Sequence, residues 1–185
     1  MEHRISTPLT KDKIKNMHCG DIVYITGTLY TARDAAHKRL CNLLNEGKQL
    51  PFDVENSIIY YVGPTPAKPK SVIGSAGPTT SYRMDAYAPA LIEKGLTGMI
   101  GKGKRDKNVI NAMKKHGAVY FGAVGGAGAY LAKCIEKCEL VAYEDLQSEA
   151  IRKLEVKDFP VYVIIDMYGA NLYETGVKEY LKNKQ

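Results

Sequence analysis

The stretch DIVYITGTLYTARDAAHKRL, residues 21–40, changes its periodicity halfway along. Its first ten residues are rich in β-branched and aromatic side chains, which is typical of a strand. From Asp34 onward, apolar residues recur at three-to-four spacing until Gly47. This pattern predicts an amphipathic helix over residues 34–46, with residues 31–33 at the junction between strand and helix.

The rest of the chain repeats this alternation. Further strands are expected at residues 58–62, 71–74, 97–100, 118–124, 140–143 and 159–166. Helices are expected from residue 81 to Gly95 with an interruption at Pro89, over residues 106–116, and through Lys137 after the glycines at 125–128. Strands that alternate with such helices predict an α/β fold with a mixed, partly parallel sheet, in a single domain spanning residues 1–185.

The composition narrows the class of protein without choosing a function. The 185 residues are 45% hydrophobic, enough for a core without disulfides or metals, and the formal net charge is +6. That charge allows nucleic acid, an anionic membrane surface or a small acidic substrate as a ligand. Trp is absent and Phe occurs three times, so aromatic platforms for nucleic-acid bases are few. The N-terminal residues lack the apolar core of a signal peptide, and we expect a cytoplasmic protein without a membrane span.

The four cysteines do not form a recognisable ligand pattern. They are Cys19, Cys41, Cys134 and Cys138, with no CxxC spacing. This argues against a disulfide framework or a zinc site, so no metal ligand is expected in the chain. Cys134 and Cys138 are four residues apart and are expected on one face of a helix, as buried, reduced thiols.

Three segments combine turn-forming residues with polar side chains at expected strand-to-helix junctions. They are TARDAAHKR (residues 31–39), GSAGPTTSYRMD (74–85) and IGKGKRDK (100–107). Ligand sites of α/β sheets form where strands enter helices, because free backbone N–H groups favour anions there. Each segment adds one cation, and Arg33, Arg83 and Lys102 together would suit a small dicarboxylate. The glycines at 101 and 103 would let a ligand approach the backbone closely.

Each of these residues also has a plainer interpretation. Thr79, Thr80 or Ser81 can cap the following helix, with Asp85 favourable in its first turn. Arg33 can pair with Asp34 or with another surface carboxylate. His37 can be an exposed or merely hydrogen-bonding residue.

Two further patterns have alternatives as well. A solvated basic surface is the default for the cluster at Lys102, Lys104, Arg105 and Lys107. The glycines at 122–128 do not match the dinucleotide fingerprint, because Leu131 stands where a third glycine is needed, and packing of a helix against a strand explains them better.

Taken together, several segments resemble the β-subunit, or C-terminal domain, of the class I fumarate hydratase and L(+)-tartrate dehydratase family. The segments are YTARDAAHKR, AGPTTSYRMD, IGKGKRD, AVYFGAVGGAGA, AYEDL and EVKDFPVYVIID. The resemblance extends over residues 21–169. It departs from the family at Ala127, where a proline is expected after the glycine pair.

The resemblance implies a swivelling β/β/α domain of an iron–sulfur hydro-lyase, which hydrates fumarate to L-malate or dehydrates a hydroxy diacid such as tartrate. It implies that the [4Fe–4S] cluster is held by a partner, the α-subunit, and not by this chain. The chain would be the separate small subunit, and a heterotetramer is expected.

The resemblance also assigns roles to individual residues. Thr79 is expected to be the catalytic base, and Arg33, Arg83 and Lys102 to bind the substrate carboxylates, with Thr80 as a further substrate contact. A threonine base needs activation by nearby positive charge or a helix N-terminus. Two other hypotheses stay open at this point: a nucleic-acid-binding module that uses the cluster between Lys102 and Lys107, and a purely structural subunit.

Overall fold

The computed structural model describes residues 1–182, in which strands and helices alternate as expected. The strands are β1 (Glu2–Ser6), β2 (Ile22–Thr31), β3 (Ile58–Tyr60), β4 (Gly98–Gly101), β5 (Val119–Gly122), β6 (Ile135–Ala142) and β7 (Ile151–Ile165). The helices are α1 (Lys11–Ile14), α2 (Asp34–Asn45), α3 (Ala88–Glu93), α4 (Lys107–His116), α5 (Gly128–Lys133) and α6 (Leu172–Lys182), with short 3₁₀ helices at Ser81–Met84 and Glu144–Glu149. No helix among these is long and apolar enough to cross a membrane.

The seven strands form one mixed sheet in the order β1-β2-β3-β4-β5-β7-β6. Strands β1 to β5 are parallel to one another, whereas β7 is antiparallel to β2, β5 and β6. Because β7 pairs with both β5 and β2, the strands β2, β3, β4, β5 and β7 close into a ring. The expected α/β class with a mixed, partly parallel sheet is therefore confirmed.

The closed ring separates the core into two apolar clusters. Successive side chains of a strand point to opposite faces, and β3 shows this directly. Ile58 and Tyr60 join a cluster formed mainly by the strands, with Phe121 and Phe159. Ile59 and its neighbour Tyr61 join a second cluster with the apolar faces of α2, α3 and α4, among them Ala36, Leu40, Leu91, Val109 and Met113. The helices thus cover one face of the parallel strands.

Two sequence-based predictions of secondary structure are wrong, one because of a local loop closure and one because of pairing with a later strand. Residues 71–74 form no strand, and the loop that contains them is closed by a bond from the Thr65 N–H to the Ser75 carbonyl. The helix expected through Lys137 ends at Lys133, and the following residues form β6, where Cys138 pairs with Leu154. Cys134 and Cys138 therefore do not share a helix face.

The segment between Ser81 and Gly95 also differs from expectation. A 3₁₀ helix covers Ser81–Met84, and a separate helix α3 begins at Ala88 with Pro89 in its first turn. Proline is well accommodated in the first turn, where its missing N–H has no helical partner. Pro89 thus starts a helix instead of interrupting one. Strand β1 and the helices α1 and α6 had no counterpart in the predictions.

Candidate active site

The three predicted segments lie at one edge of the sheet, although the segment 74–85 follows a loop and is not the expected strand-to-helix junction. Strands β2, β3 and β4 are mutually parallel, so their carboxyl ends meet at this edge. Residues 32–33 follow β2, residues 61–63 follow β3, and residues 102–106 follow β4 into helix α4. The crevice at the carboxyl ends of parallel strands is the usual ligand site of an α/β sheet.

The segment Thr79–Thr80–Ser81 is bound across the ends of β3 and β4. The Thr79 N–H donates to the Tyr61 carbonyl at 2.8 Å, and the Lys102 N–H donates to the Thr79 carbonyl at 3.2 Å. The Ser81 N–H donates to the Lys102 carbonyl at 2.8 Å. This short parallel pairing of Thr80 with Lys102 brings both threonines, which are half-buried, next to the exposed Lys102.

The two predicted arginines converge on one carboxylate. Arg83 Nη2 donates to Asp34 Oδ2 at 3.1 Å, and Arg33 Nε lies 3.9 Å from Asp34 Oδ1. A second carboxylate, Glu149, lies 3.2 Å from Arg33 Nη2. Glycine at position 63 makes room for this guanidinium, since a Cβ there would lie 2.8 Å from Arg33 Nη1.

The expected pairing of Arg33 with Asp34 is present but incomplete. Their separation of 3.9 Å exceeds hydrogen-bond distance, and within the described chain both Arg33 Nε and Asp34 Oδ1 are buried without a hydrogen-bond partner. A buried donor without a partner is costly, so Arg33 Nε has an unmet hydrogen-bond requirement. Asp34 and Glu149 also limit the repulsion between two neighbouring guanidinium groups.

The structure therefore brings the predicted residues into two linked groups. Arg33 and Arg83 share Asp34, whereas Thr79, Thr80 and Lys102 share backbone hydrogen bonds. The 3₁₀ turn Ser81–Met84 connects the two groups, because Arg83 lies within it. The Lys102 side chain extends past Gly125, and it has no carboxylate within ion-pair distance in residues 1–182.

The alternative that a hydroxyl side chain caps the following helix is wrong for Thr80, which precedes the 3₁₀ helix. Thr80 makes no side-chain cap bond to the 3₁₀ helix, and Ser81 Oγ lies 2.8 Å from the Tyr120 hydroxyl instead. Asp85, expected in a first helical turn, accepts from Arg105 Nε at 2.6 Å.

The prediction of a solvated basic cluster is wrong for Arg105. Its side chain is fully buried, and the guanidinium lies over the rings of Tyr61 and Tyr120 at 5.3 and 5.1 Å. Burial raises the pKa of both phenols, so their hydroxyls stay protonated. Lys102, Lys104 and Lys107 are exposed, so the surface cluster contains only lysines.

His37 is fully buried, which contradicts the expectation of an exposed side chain and agrees with a hydrogen-bonding role. Its Nδ1 lies 2.9 Å from the Arg33 carbonyl, and its ring meets Tyr61 edge-on with the centroids 5.3 Å apart. Burial lowers the pKa of His37 from 6.5 to about 4. The neutral ring therefore donates from Nδ1 and holds the residue that carries one of the two guanidinium groups.

Gly101, Gly122 and Gly128 allow close packing of neighbouring segments and do not open space for a ligand. A Cβ at Gly101 would collide with Ser81 Oγ and lie 2.9 Å from the Tyr61 ring, so this space is already filled. The prediction that Gly101 admits a ligand is wrong. Packing accounts for two glycines of the run, because a Cβ at Gly122 would lie 2.6 Å from Ile164 and one at Gly128 would lie 2.8 Å from the Gly77 nitrogen. The partner of Gly128 is thus the loop before Thr79 and not a strand. Packing does not account for Gly125 and Gly126, where a Cβ would meet nothing closer than 3.9 Å.

The residues of this chain do not fit an iron–sulfur cluster. Residues 1–182 contain no group of three or more His, Cys, Asp or Glu side chains that could hold a metal ion. The four cysteines are reduced thiols, and each is half-buried, somewhat more exposed than expected. Burial raises the pKa of Cys41, Cys134 and Cys138, which disfavours the thiolate form that a metal needs.

Sequence comparison assigns the chain to a family. The family model described as "Fumarase C-terminus" matches residues 2–176, and the chain belongs to this family. It is 38% identical over 172 residues to the "Putative L(+)-tartrate dehydratase subunit beta" of Methanocaldococcus jannaschii, which covers 90% of this chain and 88% of that protein.

Longer relatives carry fumarate hydratase names. The chain is 40% identical over 161 residues to "Fumarate hydratase class I, anaerobic" of Escherichia coli, which covers 86% of this chain and 29% of that protein. It is 38% identical over 189 residues to the "Putative fumarate hydratase class I" of Geobacillus stearothermophilus, with coverages of 98% and 36%. The chain thus spans about a third of the length of these relatives. The resemblance seen in the motifs is confirmed.

Proposed function

We propose that the chain is the β-subunit portion of a hydro-lyase that reversibly hydrates fumarate to L-malate. The observation that supports this most directly is the convergence of Arg33 and Arg83 on Asp34, beside the segment that pairs Thr79 and Thr80 with Lys102. Relatives named class I fumarate hydratase and L(+)-tartrate dehydratase subunit beta support the reaction class. Tartrate dehydration by the same groups is the closest alternative.

In this proposal the cations bind the two carboxylates of the substrate. Arginine binds a carboxylate through two parallel hydrogen bonds, and lysine adds a compact charge. Counting Asp34 and Glu149 against Arg33, Arg83 and Lys102 leaves the pocket with a net charge of +1 before a substrate enters. Arg83 and Lys102 are accessible to solvent, so a diacid can reach them from the exposed edge.

Thr79 is the catalytic base of the proposed reaction. In the dehydration direction its oxygen takes the proton from the carbon next to a substrate carboxylate, and negative charge develops on that carboxylate. Fixed cations around the carboxylate stabilise the charge as it forms, and removal of one such donor commonly slows turnover about a hundredfold or more. The same positive charge favours the deprotonated form of the Thr79 hydroxyl, while Thr80 contacts the substrate.

The cofactor and the second half of the site come from a partner. In this proposal a cluster-bearing α-subunit holds the [4Fe–4S] cluster, which is compatible with the lack of a ligand set in residues 1–182. The assembly is a heterotetramer of two α and two β portions.

The test is reconstitution under anaerobic conditions with the cluster-bearing subunit, followed by assay against fumarate, malate and both tartrates. Thr79→Ala is expected to lower turnover by about a thousandfold, as the loss of a general base does, while Thr79→Ser retains part of the activity. Thr10→Ala, which removes a threonine without a side-chain cap bond at α1, is the control and leaves turnover unchanged. Near-normal turnover by Thr79→Ala in an assembled complex would refute its role as base.

A further inference from the structure

Asp85 and Arg105 have no role in the proposed chemistry, yet they form the most deeply buried side-chain ion pair of residues 1–182. Arg105 Nε donates to Asp85 Oδ1 at 2.6 Å, and the two side chains are 0% and 9% exposed. The second carboxylate oxygen accepts from the Asp106 N–H at 2.8 Å. Both residues come from the predicted junction segments, one from TTSYRMD and the other from GKGKRD.

The surroundings of the pair are aromatic and apolar. The guanidinium lies between Tyr61 and Tyr120, and its Nη1 is 3.4 Å from the Tyr61 hydroxyl. Moving two charges out of water costs free energy that their attraction seldom exceeds, so a buried ion pair is weak evidence for stability. A role in holding one particular geometry is the better-supported reason to keep such a pair.

The geometry that this pair holds is that of the candidate site. Asp85 ends the segment that begins at Thr79, and Arg105 follows Lys102 on the neighbouring segment. The two segments are also linked by a hydroxyl chain, in which Ser81 Oγ meets the Tyr120 hydroxyl at 2.8 Å and Tyr120 donates to the Gly103 carbonyl at 2.9 Å. Between these contacts lies the backbone pairing of Thr80 with Lys102.

We infer that Asp85 and Arg105 are positioning residues, which lock the register of the Thr79–Arg83 segment against Lys102. A shift of one residue in extended pairing turns each side chain to the opposite face, and the pairing here is only one bridge long. Apolar contacts alone tolerate such a shift, whereas an ion pair with a fixed hydrogen-bond direction does not. This inference rests on the proposed function for its catalytic consequence, but the register itself is a property of the chain.

The test replaces the pair by apolar side chains of similar size, Asp85→Leu with Arg105→Met. Because apolar replacements of a buried ion pair are often neutral or stabilising, the urea midpoint should equal or exceed that of the wild type. Amide hydrogen exchange at Ser81 and Lys102 should accelerate by about tenfold or more, while the amides shared by β2 and β7 stay protected. In the reconstituted complex kcat should fall by about tenfold or more, with a smaller change in KM.

Two further variants keep the outcome decisive. Arg105→Lys keeps the charge but loses the planar fork of the guanidinium, so it should also lower kcat. This variant provides the kinetic test if the double variant does not fold. The control is Arg4→Met with Asp158→Asn, which removes an exposed ion pair far from the site and should change neither exchange nor turnover.

The inference is overturned if the folded double variant retains both wild-type exchange at Ser81 and Lys102 and wild-type kcat. A wild-type complex that neither hydrates fumarate nor dehydrates malate or tartrate would instead defeat the proposed function. The exchange measurement on the chain would still decide whether the pair fixes the register.

Discussion

The buried imidazole of His37 makes stability depend on pH in a direction that can be worked out. Burial lowers its pKa from 6.5 in the unfolded chain to about 4 in the folded one. Between these values the unfolded chain binds a proton and the folded chain does not, so the free energy of unfolding falls as the pH falls from 6.5 towards 4. At about 1.4 kcal/mol per pKa unit, the loss assigned to this one side chain is about 3 kcal/mol.

His37→Gln removes the titrating group and should remove this contribution. Urea unfolding of the wild type and the variant is measured from about pH 7.5 to about pH 4, where other groups contribute equally to both proteins. The stability advantage of the wild type should shrink by about 3 kcal/mol across this range. His116→Gln, in the last turn of α4, is the control. It should keep the dependence of the free energy of unfolding on pH that comes from His37. An advantage that stays constant within about 1 kcal/mol would refute the assignment.

Two predictions concern packing and capping beside the site. Gly101→Ala should destabilise the chain by about 2 kcal/mol in urea unfolding, because Ser81 fills the space of the new methyl group. The control Gly125→Ala should change stability by less than about 0.5 kcal/mol. Equal effects of the two substitutions would contradict the packing argument. Asp106→Ala should lower the free energy of unfolding by about 1 kcal/mol, because the Asp106 carboxylate accepts a hydrogen bond from the Val109 N–H at the start of α4. Asp106→Asn should retain most of the stability. An alanine variant as stable as the wild type would contradict the capping role.

Two of the predicted site residues, Arg33 and Lys102, could be predicted because each comes just after a strand. A carboxyl strand end leading into a helix can be identified from local periodicity, and parallel strands place such ends at one edge. Arg33 and Lys102 could therefore be placed at one edge from the sequence. Arg83 follows a loop, and its place there depends on the pairing of Thr80 with Lys102. Glu149 could not be predicted, since the local sequence does not indicate that a residue more than a hundred positions away contacts Arg33.

Local sequence determined which face of each strand and helix is apolar, because that depends only on the spacing of side chains along one element. The switch at Asp34 from strand to helix periodicity was sufficient to place α2 and the junction before it. Tertiary structure alone decided that residues 135–139 extend β6 beyond the strand predicted at 140–143, that β7 closes the ring, and that Arg105 is buried. Each of these depends on a partner elsewhere in the chain. The backbone groups at a strand edge need another strand to pair with, and the Arg105 charge can be buried only because Asp85 forms an ion pair with it.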